Sequence, residues 1–143
     1  MTAPATATRD VGILWENAAL AYLCRAGMQP LERNYNCRYG EIDLIMLDKS
    51  RLDKSRLDKS RLDKSGRDSI VFVEVRYRNA GAHGDGVASV GQAKRAKLVR
   101  AAALYLQAHP QLTGTPCRFD VIACAGTPES PSFDWIRAAF DAC

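Results

Sequence analysis

The stretch EIDLIMLDKSRLDKSRLDKSRLDKSGRDSIVFVEVR, from Glu41 to Arg76, contains two apolar segments separated by a repeat. The segments IDLIML and IVFVEV are almost continuously apolar rather than alternating. This pattern is typical of strands that are covered on both faces of a sheet. The two ends of the stretch therefore predict neighbouring central strands of a layered α/β or α+β domain, joined as a hairpin.

The repeat between the two segments contains LDKS four times. In a helix the leucines of a five-residue unit spread around the axis, and in a strand they alternate between the faces. Neither geometry builds an apolar seam, so a solvent-exposed loop expanded by repetition is expected over 48–66. A marginal helix supported by i,i+4 ion pairs is the alternative. With three units removed, the chain reads as a short DKSG turn between the strands.

The net charge of +4 over 143 residues overstates the basic character of the chain. Each LDKSR unit carries one Asp, one Lys and one Arg, so its three copies supply three of those charges. Bulk charge is therefore weak evidence for a nucleic-acid partner. No apolar run has the ~20 residues of a membrane span. The five cysteines show no metal-binding spacing, so free thiols in a cytoplasmic protein are expected.

The remaining elements are predicted from periodicity. Apolar residues at helical spacing predict helices over 9–26 and 87–108, and β-rich segments predict strands over 30–38 and 117–124. The amphipathic stretch WIRAAF, at 135–140, is predicted as a C-terminal helix. The order is then α-β-β-β-α-β plus that helix.

The small polar residues at 1–9 lack the apolar region of a signal peptide and are expected to form a flexible arm. One domain is expected over 10–143.

Two carboxylates, Asp43 and Glu74, lie inside the apolar segments. An ionised carboxylate in a central strand costs several kcal/mol unless it is compensated. A strand register that brings the two together would place two anions a few Å apart, and a divalent cation would stabilise them. The alternative is that each carboxylate pairs with an arginine. The candidate arginines are Arg38, Arg76, Arg78 and Arg118.

Two further acids are candidates for the same site. Glu16 lies at the edge of the apolar arc of the first helix, from which it can face Asp43. A solvated flank position fits the periodicity equally well. Asp120 lies within RFDVIAC, where a structural pairing with a nearby arginine is favoured over a supporting role at the site.

Basic residues of the second helix form a candidate nucleic-acid-binding face. Lys94, Lys97 and Arg100 share one side of the helix, which can follow a nucleic-acid backbone or can simply be solvated. Arg95 falls in the apolar arc, from which it either reaches the carboxylates or extends past the sheet edge. The other two candidates for nucleic-acid binding are Arg38 and Arg78.

Several motifs together resemble the YraN family of poorly characterised bacterial proteins, from about 10 to 141 apart from the repeat. They are Glu16 in the N-terminal helix, RNYNCRYGEIDLI (33–45), FVEVRYR (72–78), SVGQAKR (89–95) and CRFDV (117–121). That family is similar to the PD-(D/E)XK nucleases, which have a restriction-endonuclease-like fold, and to archaeal Holliday-junction resolvases.

The resemblance implies a three-layer restriction-endonuclease-like core and assigns roles to the acids. Asp43 matches the first metal-binding acid, Glu74 the acid of the E-x-K element, and Glu16 the helical acid of the resolvases. The chain departs from the nuclease pattern at Arg76, where the motif has lysine. An arginine, with a pKa above ~12, cannot act as a base, although it can stabilise phosphate charge.

The sequence therefore predicts a nucleic-acid-binding protein that is a Mg²⁺- or Mn²⁺-dependent endonuclease. Its predicted catalytic residues are Asp43, Glu74, Arg76 and Glu16. DNA, including branched DNA, is favoured over RNA, and the resolvase resemblance implies a homodimer. Two alternatives remain open: a catalytically inactive binding module of the same fold, which Arg76 favours, and an interaction protein without a nucleic-acid role.

Overall fold

The computed structural model describes residues 4–49, 68–77 and 90–140, with side chains from Val11 onward. Within these segments two helices and five strands form a mixed α+β domain. The elements are α1 (Pro4–Arg25), β1 (Met28–Cys37), β2 (Gly40–Asp48), β3 (Ser69–Tyr77), α2 (Gln92–Gln107), a 3₁₀ turn (Pro110–Leu112), β4 (Cys117–Thr127) and β5 (Ser130–Phe140).

The five strands form one sheet in the order β1-β2-β3-β4-β5. β3 and β4 are parallel, and every other neighbouring pair is antiparallel. Parallel neighbours need a crossover connection, and α2 lies in that connection. The β2–β3 ladder extends to the pair Asp48 and Ser69, so the predicted antiparallel pairing of the two apolar segments is confirmed.

One helix packs on each face of the sheet, which gives three layers. β2 and β3 contribute side chains to both apolar layers, as their unbroken apolar runs predict. The layer under α1 includes Trp15, Ala19, Leu23, Leu44, Met46, Val71 and Val73. The layer under α2 includes Ile45, Ile70, Phe72, Leu98, Ala102, Tyr105, Phe119 and Val121.

The predicted C-terminal helix at 135–140 is wrong, because this segment belongs to β5 and pairs with β4. WIRAAF has apolar residues at i, i+1, i+4 and i+5, which suits one face of a helix. In the strand, Trp135 packs in the layer under α1 whereas Ile136 packs in the layer under α2. A register shift and the positive φ of Ala138 (50°) follow, and Phe140 packs in the same layer as Ile136.

The bounds of two helices also differ from their predictions. α1 begins at Pro4, so helical backbone occupies part of the segment that was expected to be a flexible arm. α2 begins at Gln92 rather than at 87. Most of the repeat loop predicted at 48–66, and the candidate Arg78, lie outside the described residues. No helix in the described segments has the length and hydropathy of a membrane span.

Candidate functional site

Asp43 and Glu74 lie side by side where the ladder between β2 and β3 stops. The last paired residues before them are Leu44 and Val73. Beyond that pair, Oδ2 of Asp43 accepts a hydrogen bond of 2.8 Å from the backbone N–H of Val75. The Asp43 carboxylate thus accepts the hydrogen bond that the Val75 N–H would otherwise donate to a backbone carbonyl of the neighbouring strand.

The neighbouring strand β1 is distorted beside the same position. Asn34 has a φ of 51° in the left-handed region, which asparagine tolerates better than most residues. On β2, Ile42 packs in the same layer as Ile45, so the regular alternation of faces is interrupted at Asp43. The Asn34 side chain hydrogen-bonds the carboxylate of Glu16. The distortion therefore links β1 to an acid of α1.

Glu16, Glu41 and Asp43 form the carboxylate cluster, in which one oxygen of each residue lies within 4.8 Å of the others. Glu16 reaches the cluster from α1, while Glu41 and Asp43 come from β2 two positions apart. Glu74 acts on the cluster through its charge, which raises the pKa of both Asp43 and Glu16. The structure thus brings together the three predicted acids, Glu16, Asp43 and Glu74, and adds Glu41. The sequence signal for Glu41 is its position two residues before Asp43 on the same strand.

Burial and like charge both oppose ionisation of these acids. Burial raises the pKa of Asp43 to about 8, the nearby Glu74 carboxylate adds to that rise, and the Val75 hydrogen bond counters it. The pKa of Glu16 is also raised, mainly by burial. A cluster that disfavours its own charge is stabilised by any cation that binds it.

Glu16 also carries an orphaned oxygen. Its Oε1 is buried and has no hydrogen-bond partner among the described residues. The guanidinium of Arg33 is 3.9 Å away, but its Nη2 donates instead to Oδ1 of Asn17 at 2.7 Å. A buried acceptor without a donor is costly, and carboxylate oxygens are the ligands that Mg²⁺ and Mn²⁺ prefer. The donor set therefore fits a hard divalent cation.

Lys94, at the start of α2, contacts Glu74 rather than only solvent. Its Nζ lies 3.1 Å from Oε2 of Glu74, whose side chain is 9% exposed. The two residues line a cleft of about 350 Å³ together with Val75, Arg76, Tyr77 and Gly91. Helical spacing places Lys94 on the solvated face of α2, but only the tertiary structure shows which end of the sheet this face meets.

The other candidate cations are distributed around the site. Arg95 donates from Nε to the carbonyl of Val90 at 2.7 Å, and its guanidinium lies 5.5 Å from the centroid of the Phe140 ring. It therefore connects the start of α2 to β5, and neither of these two contacts is with the carboxylates. Lys97 is exposed on α2.

Arg38 and Arg100 both lie over the ring of Tyr39, at 5.0 Å and 5.8 Å from its centroid. Tyr39 is in the turn between β1 and β2, two residues before Glu41. The aromatic ring thus brings two exposed guanidinium groups, one from the turn and one from α2, to the same surface.

Asp120 has a structural role, as its predicted pairing with an arginine indicates. Its fully buried carboxylate accepts hydrogen bonds from Nε of Arg118 at 3.0 Å, from Nε1 of Trp135 at 2.9 Å and from the backbone N–H of Ala138 at 2.9 Å. Arg118 also pairs with Asp48 at 2.9 Å. The network fixes β5 on β4 beside the register shift.

Comparison with known proteins identifies the family. Residues 15–124 match the uncharacterised protein family UPF0102. The chain belongs to UPF0102. This is the YraN family, so the resemblance seen in the sequence motifs is confirmed.

UPF0102 proteins from several bacteria are similar to this chain over most of its length. One from Xanthomonas oryzae pv. oryzae is 45% identical over 134 residues, which cover 94% of this chain and 92% of the relative. One from Xylella fastidiosa is 45% identical over 132 residues, covering 92% and 93%. One from Stutzerimonas stutzeri is 42% identical over 126 residues, covering 88% and 90%. The similarity therefore covers most of this chain and most of each relative.

Proposed function

We propose that the protein is a nucleic-acid-binding endonuclease that hydrolyses phosphodiester bonds in DNA, including branched DNA, with a divalent metal ion. The observation that carries this proposal is the cluster of Glu16, Glu41 and Asp43, whose oxygens lie within 4.8 Å of one another. The adjoining Glu74 carboxylate raises the pKa of Asp43 further. Such a partly buried cluster is suited to holding a hard cation rather than to stabilising the fold.

A bound Mg²⁺ or Mn²⁺ supplies an activated water and neutralises phosphate charge. The chain's own residues orient the reaction. Asp43 is fixed through Oδ2 by the Val75 N–H, which leaves its other oxygen for a ligand. Arg76, which lines the cleft, contributes positive charge that can stabilise a phosphate but cannot accept a proton. The scissile phosphate is proposed to enter this cleft beside Glu74.

Exposed cations on α2 and in the turn between β1 and β2 offer a path for the nucleic-acid backbone. Lys97 and Arg100 lie on α2, and Arg38 joins Arg100 over Tyr39. Neutralising phosphates with such residues releases counter-ions, so binding is expected to weaken steeply as salt rises. A homodimer and a cytoplasmic location are parts of the same proposal, and light scattering of the purified protein tests the dimer.

The test is cleavage of labelled DNA in Mg²⁺ or Mn²⁺, with EDTA as the blank. Duplex, single-stranded and four-way-junction DNA are compared with RNA of the same sequences. Asp43→Asn and Glu74→Gln are expected to abolish cutting, whereas Asp134→Asn, a matched change on exposed β5, retains it. If the two site variants cut as well as the parent, the activity comes from a contaminant and the proposal fails.

A catalytically inactive nucleic-acid-binding module is the second candidate, and Arg76 favours it because the E-x-K lysine is replaced. Salt-dependent binding of a junction, with no cleavage and no heat of Mg²⁺ binding, selects this candidate. If the protein binds neither DNA nor RNA at low salt, both candidates fall. An interaction protein without a nucleic-acid role would then remain.

A further inference from the structure

The ion pair between Glu74 and Lys94 joins the carboxylate site, which is the carboxylate cluster together with Glu74, to α2. Nζ of Lys94 lies 3.1 Å from Oε2 of Glu74, and the Glu74 side chain is 9% exposed. Among the described residues, the buried charged side chains are Glu74 and Asp120, and Asp43 beside Glu74 adds another acid. The ammonium group therefore offsets negative charge in a region where several acids accumulate.

Lys94 differs from the arginine that lies near the same cluster. The Lys94 side chain is 50% exposed, so it can swing into solvent without disturbing the core. The Nη2 of Arg33, by contrast, donates to Oδ1 of Asn17 and lies 3.9 Å from Glu16. An ammonium is also a compact point charge on a flexible stem, whereas a guanidinium is a fixed planar fork.

We infer that Lys94 is the internal counter-ion of the carboxylate site, and that a divalent cation competes with its ammonium group for Glu74. This inference rests on the proposed metal centre. In the metal-free protein Lys94 holds the Glu74 carboxylate at the cleft and partly neutralises it. When a divalent cation occupies the site, the ammonium is released toward the cleft opening. Lys94 is then a positioning residue and not one more member of a solvated basic face.

The first test measures Mn²⁺ affinity by calorimetry at pH 8 without nucleic acid. Lys94→Met is expected to bind Mn²⁺ on the order of tenfold more tightly, because a unit charge ~5 Å from a dication costs about that factor even in a water-like dielectric. Lys97→Met removes the same charge from the same helix and is expected to leave the affinity within about twofold. Lys94→Arg keeps the charge and is expected to stay close to the parent.

The second test measures melting temperature in EDTA and in saturating Mn²⁺. Lys94→Met is expected to melt below the parent in EDTA, because a buried carboxylate loses its counter-charge, and the difference is expected to disappear in Mn²⁺. If Lys94→Met does not fold, Lys94→Gln provides the same comparison with a polar side chain that still reaches Glu74.

The outcomes separate this inference from the proposed function. If the parent and Lys94→Met bind Mn²⁺ equally well, the counter-ion role is refuted while the metal centre stands. If neither the parent nor the variants bind Mn²⁺, the metal centre fails and the counter-ion role falls with it. If Lys94→Met binds Mn²⁺ and the parent does not, the ammonium of Lys94 excludes the cation from the site, which is the strongest support for the inference.

Discussion

Asp43→Asn is expected to stabilise the protein at neutral pH while it removes a proposed metal ligand. The pKa of Asp43 is raised to about 8, mainly by burial, from ~3.9 in an unfolded chain. Because the folded-state pKa is raised, protonation of Asp43 contributes its full stabilisation only below ~pH 4, and this contribution is lost as the pH rises through 8. At about 1.4 kcal/mol per pH unit, the loss between pH 5 and pH 8 is on the order of 4 kcal/mol.

The assay is urea unfolding in EDTA at pH 5, 6, 7 and 8. The free energy of unfolding of the parent is expected to fall on the order of 4 kcal/mol further over this range than that of Asp43→Asn. The pH slope of the variant has to be subtracted from that of the parent, because the raised pKa of Glu16 makes the free energy of unfolding of both proteins fall as the pH rises. The amide oxygen of the variant still accepts the Val75 N–H, and Asp134→Asn is the matched exposed control.

Equal pH slopes for the parent and Asp43→Asn would refute the reasoning, since they would mean that ionising Asp43 costs nothing in the folded state. Saturating Mg²⁺ provides a further check. It is expected to flatten the slope of the parent, because a cation stabilises the ionised carboxylate, and to leave the slope of the variant unchanged.

Four further outcomes are expected. Mg²⁺ affinity by calorimetry should fall about tenfold per pH unit below pH 8, because Asp43 must lose its proton to bind; a pH-independent affinity would contradict this. Replacing 49–66 by a single DKSG turn should leave Mn²⁺ affinity unchanged and the melting temperature within a few degrees, since loop closure changes by only about 0.6 kcal/mol per doubling of length; a collapse in melting temperature would show that the repeat is structural. Asp120→Ala should cost on the order of 3 kcal/mol in urea unfolding, because the Trp135 and Ala138 N–H groups lose their buried acceptor while Arg118 keeps Asp48, and a loss below ~1 kcal/mol would be inconsistent with the network. Arg100→Ala should reduce the slope of log affinity against log salt by about one in filter binding to DNA, and an unchanged slope would remove Arg100 from the nucleic-acid path.

The central strands and their acids could be predicted from the sequence because burial on both faces of a strand produces an apolar run without alternation. IDLIML and IVFVEV are apolar without alternation, so Asp43 and Glu74 stand out as charges that need compensation. The antiparallel pairing follows from their order along the chain, and the structure confirms it at Leu44 and Val73. The local pattern therefore located the strands and their two acids.

The parts that sequence reasoning missed depend on contacts between distant segments. The pattern of WIRAAF fits a helix and a distorted strand equally well, and pairing with β4 decides between them. The contact of Lys94 with Glu74 depends on where α2 meets the sheet, which helical periodicity does not contain. The backbone distortion at Asn34, beside the acids, likewise leaves no periodic signal.

The two ends of the β2–β3 hairpin are expected to differ in how well they tolerate insertions. Asp43 and Val75 meet at one end, and Asp48 pairs with Ser69 at the other. Five residues of strand, or about 17 Å, separate Asp43 from Asp48. The repeat enters at the far end of the hairpin, so a change in the number of LDKSR units is expected to leave the positions of the carboxylates unchanged.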